Sequence, residues 1–331
     1  MRRRFLVTGV VIVCALSGAD MLKLKWRDLH VMPAPVAGGV AGQIDGRLVY
    51  AGGTAWTAGE KHWLRDVAVY DPSADQWAAG PALPAPLAYG AGVRSGGALE
   101  VLGGSDGGKT HRECWRLASV DGTWQRTGET PADTLLGRAE FIAGRTWLFG
   151  GCADVADLTR CSDAVRVRET DGRWRQAASL PHGPLAMPAA AALRARVYIF
   201  GGCSMKSAGA LVNHDDAYSF DTASSRWTRL RPLPHAIRGM TAAPLDDRHI
   251  LLAGGYTATA AEAVGKPPDF GFTSAVWVYD TQTDSYAEAA PLLFATAGIE
   301  LVRQGGSIFA MGGEQRMRDR SNRLLVTPIP H

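Results

Sequence analysis

Apolar runs of four to six residues recur along the chain, and each stops at a glycine doublet. The runs are LVYAGG, LEVLGG, TWLFGG, VYIFGG, ILLAGG and IFAMGG, with the doublets at 52–53, 103–104, 150–151, 201–202, 254–255 and 312–313. The intervals between doublets are 51, 47, 51, 53 and 58 residues. A short apolar run bounded by glycine predicts a strand buried on both faces. A second landmark follows each doublet: an apolar strand, then an aromatic, then often Leu-Pro. Tyr70-Asp71 leads to Trp77 and Leu83-Pro84, and Phe220-Asp221 to Trp227 and Leu233-Pro234. Trp124, Trp174 and Tyr286 hold the same place in other units. Large side chains at such positions predict packing between successive units.

A repeat of about 50 residues with these marks resembles the kelch propellers, whose unit is a four-stranded blade. The ends fix the number of blades. The sixth doublet is followed by 18 residues, enough for one strand at Arg323–Thr327 but not for an aromatic-bearing fourth. That fourth strand stands at the other end, in Leu24-Lys25-Trp26-Arg27-Asp28-Leu29, with no blade before it. The expected fold is therefore all-β: one six-bladed kelch-type propeller over residues 20–331. Its last blade is closed by an N-terminal strand, which removes an open sheet edge.

With strands a to d counted outward from the axis, the doublet ends strand b. The a–b turns are then tight (Asp45-Gly46, Gly96-Gly97, Gly144-Arg145, Gln304-Gly305-Gly306), and the b–c loops long, notably 54–64, 152–162, 203–214, 256–273 and 314–322. Long loops at one end of a rigid scaffold predict a functional face. Here that face surrounds the mouth of the central channel.

Composition adds limits. Charged residues make up 20% of the chain and the formal net charge is +3. Beyond residue 4 no dense Lys/Arg run occurs, so nucleic-acid binding has no electrostatic footprint. Arg2, Arg3 and Arg4 followed by the apolar stretch 5–16 and by Ser17, Gly18 and Ala19 read as an export signal over residues 1–19, cleaved near Ala19. The stretch is too short to span a bilayer. A periplasmic or secreted protein without a membrane span after cleavage is expected. Cys14 follows Val13 where a lipoprotein signal would have a small residue. Export would permit a disulfide, and Cys152 and Cys161 flank one loop, while Cys114 and Cys203 read as small buried residues. The eight histidines are scattered, and no Cys/His spacing suggests zinc. Asp215 and Asp216 beside His214 read as a loop rather than a metal site.

One segment at the expected mouth combines opposite charges: Gly312-Gly313-Glu314-Gln315-Arg316-Met317-Arg318-Asp319-Arg320-Ser321. A carboxylate directly after a buried strand can act as a general base, and a guanidinium fork binds carboxylates. The bland alternative is a solvated, self-paired loop. Arg238, Tyr89 and Arg138 follow the prolines of d–a loops, and His62 and Trp63 lie on the first long loop, where an aromatic can stack on a sugar face. Their alternative role is packing between blades.

Pro84-Ala85-Pro86-Leu87-Ala88-Tyr89-Gly90 and Gly103-Gly104-Ser105-Asp106-Gly107-Gly108, with Glu60-Lys61-His62-Trp63 and Asp66 before them, together resemble the bacterial sialic acid mutarotase (N-acetylneuraminate epimerase) family in its cyclically permuted branch. The resemblance implies an exported six-bladed propeller. It also implies an isomerase that interconverts sugar anomers without metal, nucleotide or redox cofactor. The family's implicated Glu and Arg, six residues apart, fall on Glu314 and Arg320, with Arg316, Arg238, Tyr89, His62, Trp63 and Arg138 as expected substrate contacts. Two departures are visible: Thr54-Ala55-Trp56-Thr57 replaces the usual sequence after the first doublet, and Met317-Arg318 stands where Pro-Gly is usual. The implied partner is a sialic acid-like sugar, with the oligomeric state left open. The competing expectation is a non-catalytic propeller that binds a glycan or protein through the same face.

Overall fold

The computed structural model describes residues 23–206 and 209–330, so the expected export signal at 1–19 lies outside the described residues. Six four-stranded antiparallel sheets account for most of the chain. In the first, Val40–Ile44, Arg47–Ala51, Val67–Asp71 and Gln76–Ala79 follow one another outward. Four more repeat this order, and their inner strands, beginning at Ala91, Arg138, Ala189 and Thr241, lie side by side with those at Val40 and Glu300 in a closed ring. The sixth sheet runs Glu300–Gln304, Ser307–Met311, Leu324–Pro328 and then Arg27–Asp28, so the first strand of the described residues completes the last blade.

The glycine doublets are required by backbone conformation and crowding. Gly52 and Gly53 have φ of 67° and 98°, the left-handed side that a Cβ disfavours. A Cβ on Gly53 would stand 2.8 Å from the Ala37 carbonyl oxygen of the preceding loop. The chain turns sharply here and lets a neighbouring backbone approach. The a–b turns use the same freedom: Asp45-Gly46 and Ala143-Gly144 are left-handed at both positions, matching two-residue hairpins. In blade three the turn is thus one residue earlier than expected, and Arg145 opens the strand.

One contact repeats round the ring and binds each blade to its predecessor. The outer-strand aromatic of each blade donates to a backbone carbonyl of the preceding blade's exit. Trp77 Nε1 bonds to His30 O at 2.9 Å, Trp124 to Pro81 O at 2.7 Å, Trp174 to Glu129 O at 2.9 Å and Trp227 to Ser179 O at 2.9 Å. In blade five the Tyr286 hydroxyl bonds to Arg231 O at 2.8 Å, and in blade six Trp26 Nε1 bonds to Ala290 O at 3.2 Å. Trp26 thus does for the stitched blade what the other five aromatics do for continuous ones.

The seam is braced further. Arg27 and Asp28 pair with Val326 and Leu325, and Arg323 grips the Asp28 carboxylate at 2.8 and 2.9 Å. Leu24 and Trp26 are buried with the apolar layer between blades five and six, and Met32 with that between blades six and one. Beyond Met32 the chain runs along the C-terminal loop: Met32 N–H donates to Asn322 O at 2.7 Å and Val36 N–H to Ser321 O at 3.0 Å.

The long b–c loops carry their own structure. Hairpins form at 54–57/60–63, 203–205/211–213 and 314–316/319–320, and a helical turn at Ala260–Ala263. Cys152 and Cys161 form a disulfide that closes the blade-three loop, while Cys114 and Cys203 are buried free thiols.

Candidate functional site

At the channel mouth, each connection into an inner strand meets the b–c loop of the blade it enters through one bridge: Ala37 with Thr54, Ala88 with Ser105, Leu135 with Cys152, Ala186 with Cys203, Arg238 with Tyr256, Ala297 with Glu314. The next residue is left-handed in every blade: Gly38, Tyr89, Leu136, Met187, Gly239 and Gly298, with φ between 52° and 74°. These residues are joined head to tail, each N–H donating to the carbonyl of its predecessor from Tyr89 round to Gly298, at 2.7 to 3.0 Å. Three non-glycine residues are held in a sparsely populated conformation by this belt, an arrangement typical of functional rims. Glycine in blades one, five and six leaves one side of the mouth open, whereas Tyr89, Leu136 and Met187 wall the other. The resulting cavity measures about 290 Å³.

Glu314 and Arg320 enter it together. They are direct partners across the small hairpin, and Arg320 Nη1 forms an ion pair with Glu314 Oε1. The Arg318 N–H also donates to Glu314 Oε1, at 2.8 Å. Arg320 is buried; its Nε and Nη2 donate to the Thr54 hydroxyl at 3.3 and 3.2 Å, and Thr54 lies 3.4 Å from the Tyr89 hydroxyl. Its Nη1 faces the carboxylate off the hydrogen-bonding line, leaving that buried donor otherwise unmatched. One carboxylate oxygen is thus fixed, and the pair lines the cavity.

Arg238 lines the same cavity under different terms. It stacks on Tyr256 at 4.4 Å, and its Nη1 donates to Asn213 Oδ1 at 2.5 Å and to Ala258 O at 3.1 Å. Among the described residues it forms no ion pair. Burial draws its pKa down from the usual arginine value, the mark of a cation held away from water without a countercharge. An anionic ligand would supply one.

Deeper in the channel, Arg138 of blade three reaches across to Glu300 of the opposite blade six at 3.2 Å. Arg94 of blade two approaches the other Glu300 oxygen at 3.5 Å. Below this bar a chamber of about 70 Å³ holds Glu140. Glu140 keeps some accessible surface within the channel but is enclosed on all sides, and this desolvation pushes its carboxyl up to about 7 against the opposing pull of Arg94 and Arg138. A folded-state pKa above the ordinary 4.5 means that the fold binds the extra proton. The stabilisation is therefore complete below pH 4.5 and fades as pH rises through 7. Glu140→Gln is expected to raise the melting temperature by a few degrees at pH 8 and not at pH 4.5. Scanning fluorimetry at the two pH values checks this.

Of the eight expected site residues, Glu314, Arg320, Arg238, Tyr89 and Arg138 line one cavity, and three do not. Arg316 points away and pairs with Asp319 at 2.6 Å. His62 is exposed on the far face of its hairpin. Thr54 pairs with Trp63 and Trp56 with Lys61, so the alternation that puts Thr54 beside Arg320 puts Lys61, not His62, on the inner face. Lys61 Nζ caps the Tyr89 ring at 4.8 Å and the Trp63 ring at 5.0 Å, and Trp63 packs behind it over Gly107. His62→Ala is accordingly expected to leave ligand affinity within about twofold, measurable by calorimetry. Asp106 is occupied by its own turn, accepting from Gly108 N–H at 2.9 Å, Lys109 N–H at 2.8 Å and from His111. Glu300, Tyr256, Phe272 and Met317 line the cavity without having been singled out. Aligning the blades on their doublets brings Glu300 and Arg138 to the same column at the head of strand a, each 12 residues before its doublet, a signal present in the sequence.

The fold and mouth define a kelch-type six-bladed propeller with a charged cavity at one end of its channel; residues 184–234, spanning blade four, match the Kelch motif. Among curated proteins the chain is similar to N-acetylneuraminate epimerases. It is 24% identical to that of Haemophilus influenzae (strain 86-028NP) over 172 residues, 45% of this chain and 46% of the relative. It is 26% identical to that of Yersinia enterocolitica over 168 residues, 43% of each chain. The matches thus span about half the length of these relatives. Kelch-like protein 35 of Mus musculus is 23% identical over 258 residues, covering 78% of this chain and 40% of that protein.

Proposed function

We propose that this protein is a carbohydrate mutarotase that interconverts the anomers of N-acetylneuraminate or a related acidic sugar. The observation that carries the reading is the Glu314 carboxylate, fixed by Arg320 and the Arg318 amide at the mouth of a sugar-sized cavity that also presents the uncompensated cation Arg238. Resemblance to the epimerases supports the choice of sugar.

Arg238 pairs with the sugar carboxylate and sets the anomeric centre against Glu314. Glu314 takes the proton of the anomeric hydroxyl while the bond from the anomeric carbon to the ring oxygen breaks. That proton, or one from solvent, is returned to the ring oxygen, leaving an open-chain ketone. Rotation about the bond to the carbonyl carbon presents its other face, and the reverse steps close the ring as the opposite anomer. Arg320 orients Glu314, and its remaining N–H stabilises the oxygen that gains charge. The export signal expected at residues 1–19 would place this activity outside the cytoplasm.

The long alignment to a Kelch-like protein favours a second reading, a propeller that binds a glycan or protein without turnover. Exchange spectroscopy on the anomeric signals of N-acetylneuraminate separates the two. A mutarotase accelerates exchange at protein concentrations far below that of the sugar, whereas a binding module leaves the buffer rate unchanged.

A further inference from the structure

We infer that the floor of this cavity is a polyol subsite built by Glu300 and Arg138, with Arg94 holding Glu300 from the chamber beneath, and that it reads the hydroxylated chain of the sugar. The inference rests on the acidic-sugar reading above and extends it to the far end of the ligand.

Depth comes first. Ala297 bridges Glu314 at the rim, whereas Glu300 pairs with Met311, three residues before Glu314 in the chain. The left-handed Gly312 and Gly313 turn the chain between Met311 and Glu314, which leaves Glu314 at the rim and Glu300 at the head of the inner strand below it. Both carboxylates line the one cavity. A ligand that engages Glu314 with its anomeric centre can therefore extend a further chain to Glu300 at the floor.

The floor is rigid. Arg138 Nε donates to Pro188 O at 2.9 Å and Arg94 Nε to Ala41 O at 2.7 Å, so backbone carbonyls of the walls anchor both guanidinium groups. Glu300, nearly buried, lies between them with one oxygen toward each. The pairs with Glu300 use only part of what each group offers. A carboxylate accepts about four hydrogen bonds and a guanidinium donates five. The Arg138 donor beside the Glu300 acceptor matches adjacent hydroxyls, each of which donates one hydrogen bond and accepts others. Because Arg138 and Glu300 come from opposite blades, the same bar closes the channel beneath the ligand and leaves the loop face as its route of entry.

The test compares two acids on the intact protein by isothermal titration calorimetry: N-acetylneuraminate, and its seven-carbon analogue, in which the three-carbon hydroxylated side chain is shortened to a single hydroxymethyl group. Hydrogen bonds to charged partners predict that wild type binds the nine-carbon acid at least about tenfold more tightly. Glu300→Gln, with its fold checked by melting temperature, should narrow that gap to about twofold. Equal affinity of wild type for both acids overturns the subsite and leaves the reading of the rim intact; this comparison needs no variant. A gap undiminished in Glu300→Gln removes Glu300 from the subsite. Failure of wild type to bind either acid overturns the acidic-sugar reading and the subsite with it.

Discussion

Glu314→Gln is expected to lose roughly 10²- to 10⁴-fold of any acceleration of anomeric exchange, the usual contribution of one positioned acid–base group. The amide has the shape of the carboxylate, so the hairpin can keep its form, and the Arg318 N–H can still donate to the side-chain oxygen now seen at 2.8 Å. What disappears is the proton acceptor and the countercharge of Arg320. Arg320 is buried, and its other two nitrogens are already committed to Thr54, so the unpaired guanidinium then offers a second docking point for the sugar carboxylate. Binding should therefore survive, and even tighten, while turnover falls. A split between affinity and rate is what a proton-transfer role predicts; parallel loss of both would point to a positioning role instead.

Removal of residues 24–33 is expected to prevent folding at physiological temperature. The deletion takes out Leu24, Trp26 and Met32, all buried, together with the outer strand of blade six and the Arg323–Asp28 pair. Losing a buried tryptophan costs about 3–5 kcal/mol and each large aliphatic about 2–5. Together these match or exceed the 5–15 kcal/mol that ordinarily holds a domain folded. Trp26→Ala isolates part of the effect and should lower stability by about 3–5 kcal/mol in a denaturant titration. The same segment supports the candidate site, since Met32 bonds to Asn322, two residues after Arg320. A truncated chain that folds and accelerates exchange would contradict this link.

The blade count was legible because its signals are local. The glycine doublets are demanded by left-handed backbone, and the outer aromatics by a carbonyl one blade away, and neither depends on the details of a loop. Trp26 could be placed in the last blade from sequence because it lacks a blade of its own. The site was only partly legible. Glu314 and Arg320 stand in one charged loop, so their spacing revealed them. Lys61 and His62 differ by one residue, and only the register of the 54–57/60–63 hairpin decides which faces the cavity. Glu300 and Glu140 sit singly among small apolar residues, and the ring of blades, not any motif, brings them to Arg138 and Arg94. Tyr89, Leu136 and Met187 occupy left-handed positions that composition cannot announce, because glycine fills the same place in the other three blades.

The central claim is that Glu314, at the mouth of the channel, moves the proton in an anomeric exchange. Two-dimensional exchange spectroscopy on N-acetylneuraminate, with wild type and Glu314→Gln in matched samples and calorimetric binding of the same sugar measured on both, tests it most directly. The account predicts exchange well above the buffer rate with wild type, near the buffer rate with the variant, and binding by both. Equal exchange rates for the two proteins, whether fast or at the buffer value, would contradict it.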